Sequence, residues 1–344
     1  MKLVRTEDAV GQVLCHDITQ IIPGVVKDAV FRKGHIVTEE DIPVLLSVGK
    51  ENLYIWEKQE GMLHENEAAE ILRQICQGEH MHPSEVKEGK IELIADCEGV
   101  LKINTEKLNA VNNLGEMMIA SRHGNFPVKA GDKIAGTRII PLVIEEEKMQ
   151  KACEVAGKEP IFRILPYQKK KAGIVTTGSE VYYHRIEDKF TPVVIEKLKE
   201  CGVTEVKQIQ CNDDHEMITE AIQTLIEDGS DLIVCTGGMS VDPDDRTPLA
   251  IKNACTEVVT YGAPVLPGAM FMLAYCEKEG RQIPVMGLPG CVMYAKATIF
   301  DLLLPRILAD VPITKKDLAK MGAGGLCLGC DICTYPNCGF GKGV

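Results

Sequence analysis

The sequence predicts an α/β protein. Its C-terminal domain reads as a doubly wound, mostly parallel sheet, preceded by a smaller mixed α+β, β-rich N-terminal region. Three observations carry this reading. Between residues 169 and 309, short apolar runs alternate with helix-patterned segments, the pattern of parallel strands joined by crossover helices. The runs end in polar or glycine-rich loops, among them TTGSE (176–180), NDDH (212–215), TGGMSVDPDD (236–245) and GLPGC (287–291). Upstream, short strand-like runs and turn signals replace that alternation.

In the first module, residues 1–57, AVGQVLCHDI and FRKGHIV predict strands joined by tight turns. EEDIPVLLSVG predicts a short helix closed by Gly49, and ENLYIWE a strand ending near a packing residue, Trp56. Residues 58–150 make a mixed β-rich region with helices. There, Ala68, Ile71, Leu72 and Ile75 recur at helical spacing. Residues 85–144 read as strands with a helix at Thr105–Ala120, and 145–160 as a connecting helix.

From Lys169 the pattern sharpens. AGIVTTG is a buried strand, and TPVVIEKLKECG a helix with Thr191 as N-cap, Pro192 in first position and Gly202 as stop. EVKQIQC is a strand. The next helix, DDHEMITEAIQTLIEDG, lines up Ile218, Ala221, Ile222, Leu225 and Ile226 on one face. DLIVCTGG is a strand and TPLAIKNAC a helix opened by Thr247 and Pro248. MFMLAYCEKEGRQIPVMGLPG reads as two strands around Gly280, and MYAKATIFDLLL as a helix that stops before Pro305.

Composition narrows the partners. The chain has 344 residues, 26% of them charged, with a net charge of −12. That is a globular composition, and its sign argues against nonspecific nucleic-acid binding. The start lacks an apolar signal core, and the apolar stretch Gly262–Tyr275 is broken by Pro264 and Pro267. No membrane span is expected, and the protein is expected to be cytoplasmic. Of fourteen cysteines, ten are scattered singly and read as small core residues.

In open α/β sheets, ligands bind beyond the carboxyl ends of the strands. Glu180, Asp213 or Asp214, and Asp242 or Asp245 follow three such ends. Carboxylates beside a glycine-rich anion cradle suit Mg²⁺ held against phosphate oxygens. The plain alternative is that Asp213, Asp214 or Asp245 merely caps a helix.

Residues 172–308 resemble the molybdopterin-binding domain shared by molybdopterin molybdenumtransferases and molybdopterin adenylyltransferases. The motifs that carry the resemblance are VTTGSEV, NDD, TGGMSVDPDD, the LPG of 266–268, and GLPG. It implies a pterin ligand with a dithiolene and a terminal phosphate, Mg²⁺-dependent chemistry, and self-association. On the matching positions, Thr177, Gly178, Ser179, Asp188, Gly268, Pro289 and Gly290 would contact the ligand. Thr236, Gly237, Gly238, Met239 and Ser240 would bind its anion. Asp245, Asp213 and Glu180 would be catalytic, with Asp245 and Asp242 associated with the metal. Residues 1–57 are similar to the first domain of the molybdenumtransferases.

The implied function is molybdenum-cofactor biosynthesis, with molybdate inserted into adenylylated molybdopterin and AMP released. The alternatives are adenylylation of molybdopterin with ATP, and a non-catalytic molybdopterin carrier or sensor. A molybdoenzyme client is a candidate partner. Two features depart from the family pattern: GLPGCV places Cys291 and Val292 where an amide and a proline are usual, and VDPDDRTP resembles the adenylyltransferases.

The tail, residues 322–344, holds Cys327, Cys330, Cys333 and Cys338, spaced C-x₂-C-x₂-C-x₄-C. That density points to metal rather than disulfides in a cytoplasmic protein. A [4Fe–4S] cluster and Zn²⁺ are both candidates, as is a thiol tail without permanent metal. The tail's glycines predict a mobile appendage.

Overall fold

The computed structural model describes residues 2–22, 24–55 and 60–343. Trp56 lies outside the described residues. The chain divides into two compact units, and the second takes in residues 97–102 and 123–130 as well as everything from Ile164 onward.

The first unit is α+β. It begins with paired strands Lys2–Arg5 and Asn52–Ile55, a hairpin of Ile18–Ile22 with Val26–Phe31, and a helix at Asp41–Ser47. Leu14, Ile18, Val37, Leu45 and Leu53 form its small core. AVGQVLCHDI, expected as a strand, contributes isolated bridges at Val13 and Leu14 before the strand at Ile18. The rest holds a four-stranded antiparallel sheet, an antiparallel pair of Met62–His64 with Val143–Glu145, and helices at Glu65–Cys76, Thr105–Asn112 and Glu146–Ala156. The expected Thr105–Ala120 helix therefore stops early, and Met117–Ser121 is a strand. Asn112 causes the stop: its side chain pairs with both the N–H and the carbonyl of Ile119, folding the chain back at Gly115.

In the second unit the sheet strands are β1 (Lys171–Thr177), β2 (Glu205–Cys211), β3 (Leu232–Thr236), β4 (Glu257–Tyr261), β5 (Met272–Lys278) and β6 (Arg281–Leu288). Between and after them run α1 (Phe190–Glu200), α2 (His215–Glu227), α3 (Thr247–Ala254), α4 (Ile299–Leu308) and α5 (Lys315–Lys320). The sheet order is β2-β1-β3-β6-β5-β4. The first four strands in that order pair in parallel, and β5 and β4 pair antiparallel.

Alternate residues feed opposite faces, as the two-residue period of a strand requires. Ala172, Ile174, Leu232 and Val234 pack with α1 and α4, whereas Val175, Ile233 and Cys235 pack with α2 and α3. Gly173 lets α2 approach, because a Cβ there would lie 2.9 Å from that of Leu225. The central strands β1 and β3 are thus covered on both faces, which accounts for their nearly continuous apolar sequence, whereas the edge strands β2 and β4 stay largely exposed.

Three local expectations are corrected. Thr191 and Thr247 do not cap α1 and α3; both are buried and bond to threonines of β1. Asp188 supplies the α1 cap, accepting from Phe190 N and Thr191 N at 3.0 Å. The last helix starts at a Thr298–Asp301 capping box and continues through Pro305. An interior proline frees the carbonyl four residues back. Here that is Asp301 O, and the Tyr335 hydroxyl donates to it at 2.9 Å.

Among the described residues no helix is long and apolar enough to cross a membrane.

Candidate functional site

The strand order reverses at β1, with β2 on one side and β3 on the other. In open sheets that is where a crevice forms beyond the carboxyl ends. A cleft of about 590 Å³ opens there, a size ordinary for small ligands. Its walls come from the end of β1 and the turn of helix that follows, the segment leading into α1, the end of β3 with its glycine loop, the end of β6 with the turn after it, and Met270.

A ladder of threonines fixes the floor. Thr177 Oγ1 donates to Thr236 O and bonds to Thr247 Oγ1, both at 3.1 Å. Thr176 Oγ1 bonds to Thr191 Oγ1 at 2.7 Å, and Gln208 donates to Thr176 Oγ1 and Asp188 Oδ2. Gly237 and Gly238 then turn the chain with φ of +87° and +56°. A Cβ on Gly237 would lie 2.4 Å from Thr177 O, so a glycine is needed there for both conformation and space. Beside this turn, the Thr236 hydroxyl is buried without a hydrogen-bond partner. Buried hydroxyls are nearly always paired, which makes this one a donor awaiting an acceptor.

The acids divide by what they hold. Asp245 Oδ2 accepts from Ser240 N at 2.7 Å, tying the loop after β3 into a closed turn at the cleft. Glu180 and Asp188 also line the cleft, together with Glu187. Asp213 does not line it and accepts from Ser179 N at 2.8 Å. Asp214 is the helix cap of α2: hydrogen bonds from Met217 N and Glu216 N hold its carboxyl below the usual range. Asp242 is exposed and accepts from Asp244 N at 3.1 Å, inside its own turn.

Of the residues chosen from sequence, Thr177, Glu180, Asp188, Thr236, Gly237, Gly238, Met239, Ser240, Asp245, Pro289 and Gly290 line this one cleft. Gly178, Ser179, Asp213, Asp242 and Gly268 do not. Gly268 instead packs against Ile299, where a Cβ would come within 2.5 Å of the side chain. Sequence reasoning missed Lys189, the one Lys or Arg side chain among the described residues lining the cleft. It also missed Tyr261, whose hydroxyl donates to Met239 O at 3.2 Å. Burial and the Asp245 charge push the Tyr261 phenol up. Neither residue belongs to a motif, and a lone lysine next to a helix start carries no signal of its own.

Four carboxylates against one lysine leave the cleft acidic. Among the described residues no three His, Cys, Asp or Glu side chains are gathered to hold a metal ion unaided. That does not conflict with Mg²⁺, which is usually held by one or two carboxylates plus the phosphates of its ligand. Asp245 is the carboxylate beside the glycine turn. The tail cysteines Cys327, Cys330, Cys333 and Cys338 line a separate cavity of the same unit.

Residues 173–309 match the family model described as a probable molybdopterin binding domain, and residues 3–57 match a domain of unknown function (DUF8806). A CinA-like protein of Mycobacterium sp. (strain MCS) is 35% identical over 85 residues, which is 25% of this chain and 20% of that protein. The chain thus spans about a fifth of the length of such relatives. Among solved structures, the tungsten cofactor synthesizing protein MoaB from Pyrococcus furiosus aligns with 42% of this chain and 98% of its own, at 20% identity and TM-score 0.35. The protein CinA with unknown function from Thermoplasma acidophilum aligns with 40% of this chain and 98% of its own, at 16% identity and TM-score 0.34.

Proposed function

We propose that the second unit binds molybdopterin and catalyses Mg²⁺-dependent molybdate insertion into its adenylylated form, in the cytoplasm. The match of residues 173–309 to a molybdopterin-binding model supports the ligand class. Apolar clusters on both faces of the six-stranded sheet support a doubly wound reading. The observation that carries the proposal is the unpaired Thr236 hydroxyl at the switch-point cleft, next to the Gly237–Gly238 turn. On this reading the hydroxyl donates to a phosphate oxygen of the ligand. Lys189 draws the anion in, and Asp245 keeps the turn closed while offering carboxylate oxygen to the cation. Asp213 acts indirectly, holding the Ser179 amide in place. Mg²⁺, when bound, neutralises phosphate charge and stabilises the departing oxygen. Glu180 and Asp188 border the same space.

Adenylylation of molybdopterin with ATP is the second reading, favoured by the VDPDDRTP sequence of the loop after β3. A carrier without turnover is the third, favoured by Cys291 and Val292 at GLPGCV. Val292 is fully buried in the core beside α1, so this departure is built into the packing.

One assay separates the three. The protein is offered molybdopterin with Mg-ATP, or adenylylated molybdopterin with molybdate. Molybdate-dependent AMP release supports insertion, AMP-pterin formation supports adenylylation, and binding without turnover supports a carrier. Asp245→Asn sharpens the result, because its amide oxygen keeps the Ser240 hydrogen bond while the charge is lost. Turnover should fall with the fold intact; a wild-type rate would remove Asp245 from the chemistry.

A further inference from the structure

The geometry points to a [4Fe–4S] site in the C-terminal tail, independent of which reaction the cleft performs. The tail is not the mobile appendage its glycines suggest. Leu266 N donates to Gly325 O and Cys327 N to Leu266 O, both at 2.8 Å, stitching the tail to the segment after β4. Phe340 is buried in the core, and Gly341 N donates to Gly324 O at 2.9 Å, closing the tail into a loop. Tyr335 is held on Asp301 O, the carbonyl that Pro305 leaves free.

This anchored loop places all four cysteines around one cavity of about 470 Å³, whose apolar wall includes Pro267, Leu326 and Phe340. Cys327 and Cys338 pack partly against the core, whereas Cys330 and Cys333 are exposed.

The spacing favours one of the two metals. Structural zinc is held at a single point, commonly by two separated Cys or His pairs, whereas Cys327, Cys330 and Cys333 form one unbroken run. All four cysteines line one cavity whose volume leaves room for an iron–sulfide core. Three cysteines at x₂ spacing are also the run that wraps such a core in ferredoxins. Each cysteine would lose its proton to solvent and, as a thiolate, displace one labile ligand from an iron of a preassembled core, with no change of oxidation state. Four thiolates then leave the cluster negative, and Lys296 is the one Lys or Arg side chain among the described residues lining the cavity.

The test uses the full chain, purified anaerobically from iron-replete cells or reconstituted with iron salts and sulfide. It should carry about four irons and four acid-labile sulfides per chain, with a broad visible absorption that bleaches on reduction by dithionite. Cys330→Ser and Cys333→Ser, both at exposed positions, should lose most of the iron with unchanged far-UV circular dichroism. Tightly held zinc in place of iron would overturn the proposal. So would the absence of both metals after reconstitution, or full iron content in both folded variants. If the variants do not fold, the iron, sulfide and zinc content of the wild type decides.

Discussion

Thr236→Val should make the ligand-free protein more stable and its ligand binding weaker. Thr236 is 1% exposed, and its hydroxyl has no partner. A buried unpaired hydroxyl costs about 1–3 kcal/mol, and an apolar group of the same shape removes that cost. Valine is nearly isosteric and suits a strand. Ligand-free Thr236→Val should therefore gain about 1–2 kcal/mol, seen as a higher urea midpoint at unchanged slope. With ligand the sign reverses. A hydrogen bond to a charged acceptor contributes about 1.5–3 kcal/mol, so its loss should raise Kd about ten- to a hundredfold. Urea denaturation followed by circular dichroism gives the first quantity, and anaerobic titration calorimetry with molybdopterin gives the second. Thr177→Val is the control. Thr177 bonds to Thr236 O and Thr247 Oγ1 at 3.1 Å, so its loss should destabilise the ligand-free protein by about 1–2 kcal/mol. A Thr236→Val protein that is less stable than wild type and binds with unchanged affinity would refute the reasoning.

Gly237→Ala should destabilise by about 2–4 kcal/mol, since a positive φ and a backbone clash act together; Gly290→Ala, whose Cβ meets nothing within 4 Å, should leave the unfolding midpoint unchanged. Tyr335→Phe should cost about 1–2 kcal/mol by orphaning the Asp301 carbonyl. In a Pro305→Ala background, where the new N–H can serve that carbonyl, the same change should cost clearly less, and a double-mutant cycle in urea reads the coupling. In the first unit, burial raises the Glu65 carboxyl against the opposing charges of Arg138 and Lys33. The folded form therefore binds the extra proton. Stability from this group is present below the unfolded carboxylate pKa and lost as pH rises through the folded value. Glu65→Gln should match wild type in acid and melt higher than wild type at neutral pH; equal melting temperatures at both would count against it.

The alternation of strands and helices after Lys169 follows from local patterning, because burial on one or both faces imposes a period that neighbouring residues must obey. So do the glycine-rich loops, since a chain that turns with positive φ or approaches another backbone closely excludes a Cβ, as at Gly237. Long-range pairing and packing set what no local period encodes. Strand order is set by pairing across the sheet, and that order made the ends of β1 and β3 neighbours and so collected Thr177, Thr236 and Asp245 in one cleft. Spacing treats Asp213, Asp214, Asp242 and Asp245 alike. Only the fold hands one to Ser179, one to a helix start, one to its own turn and one to the cleft wall. The same holds for Thr191 and Thr247, which look like helix caps in sequence and serve β1 in space. Pro305 reads as a stop until Tyr335, thirty residues on, supplies the donor that the helix lacks. Each of these outcomes depends on a partner distant in the chain, so it could not be read from either residue alone.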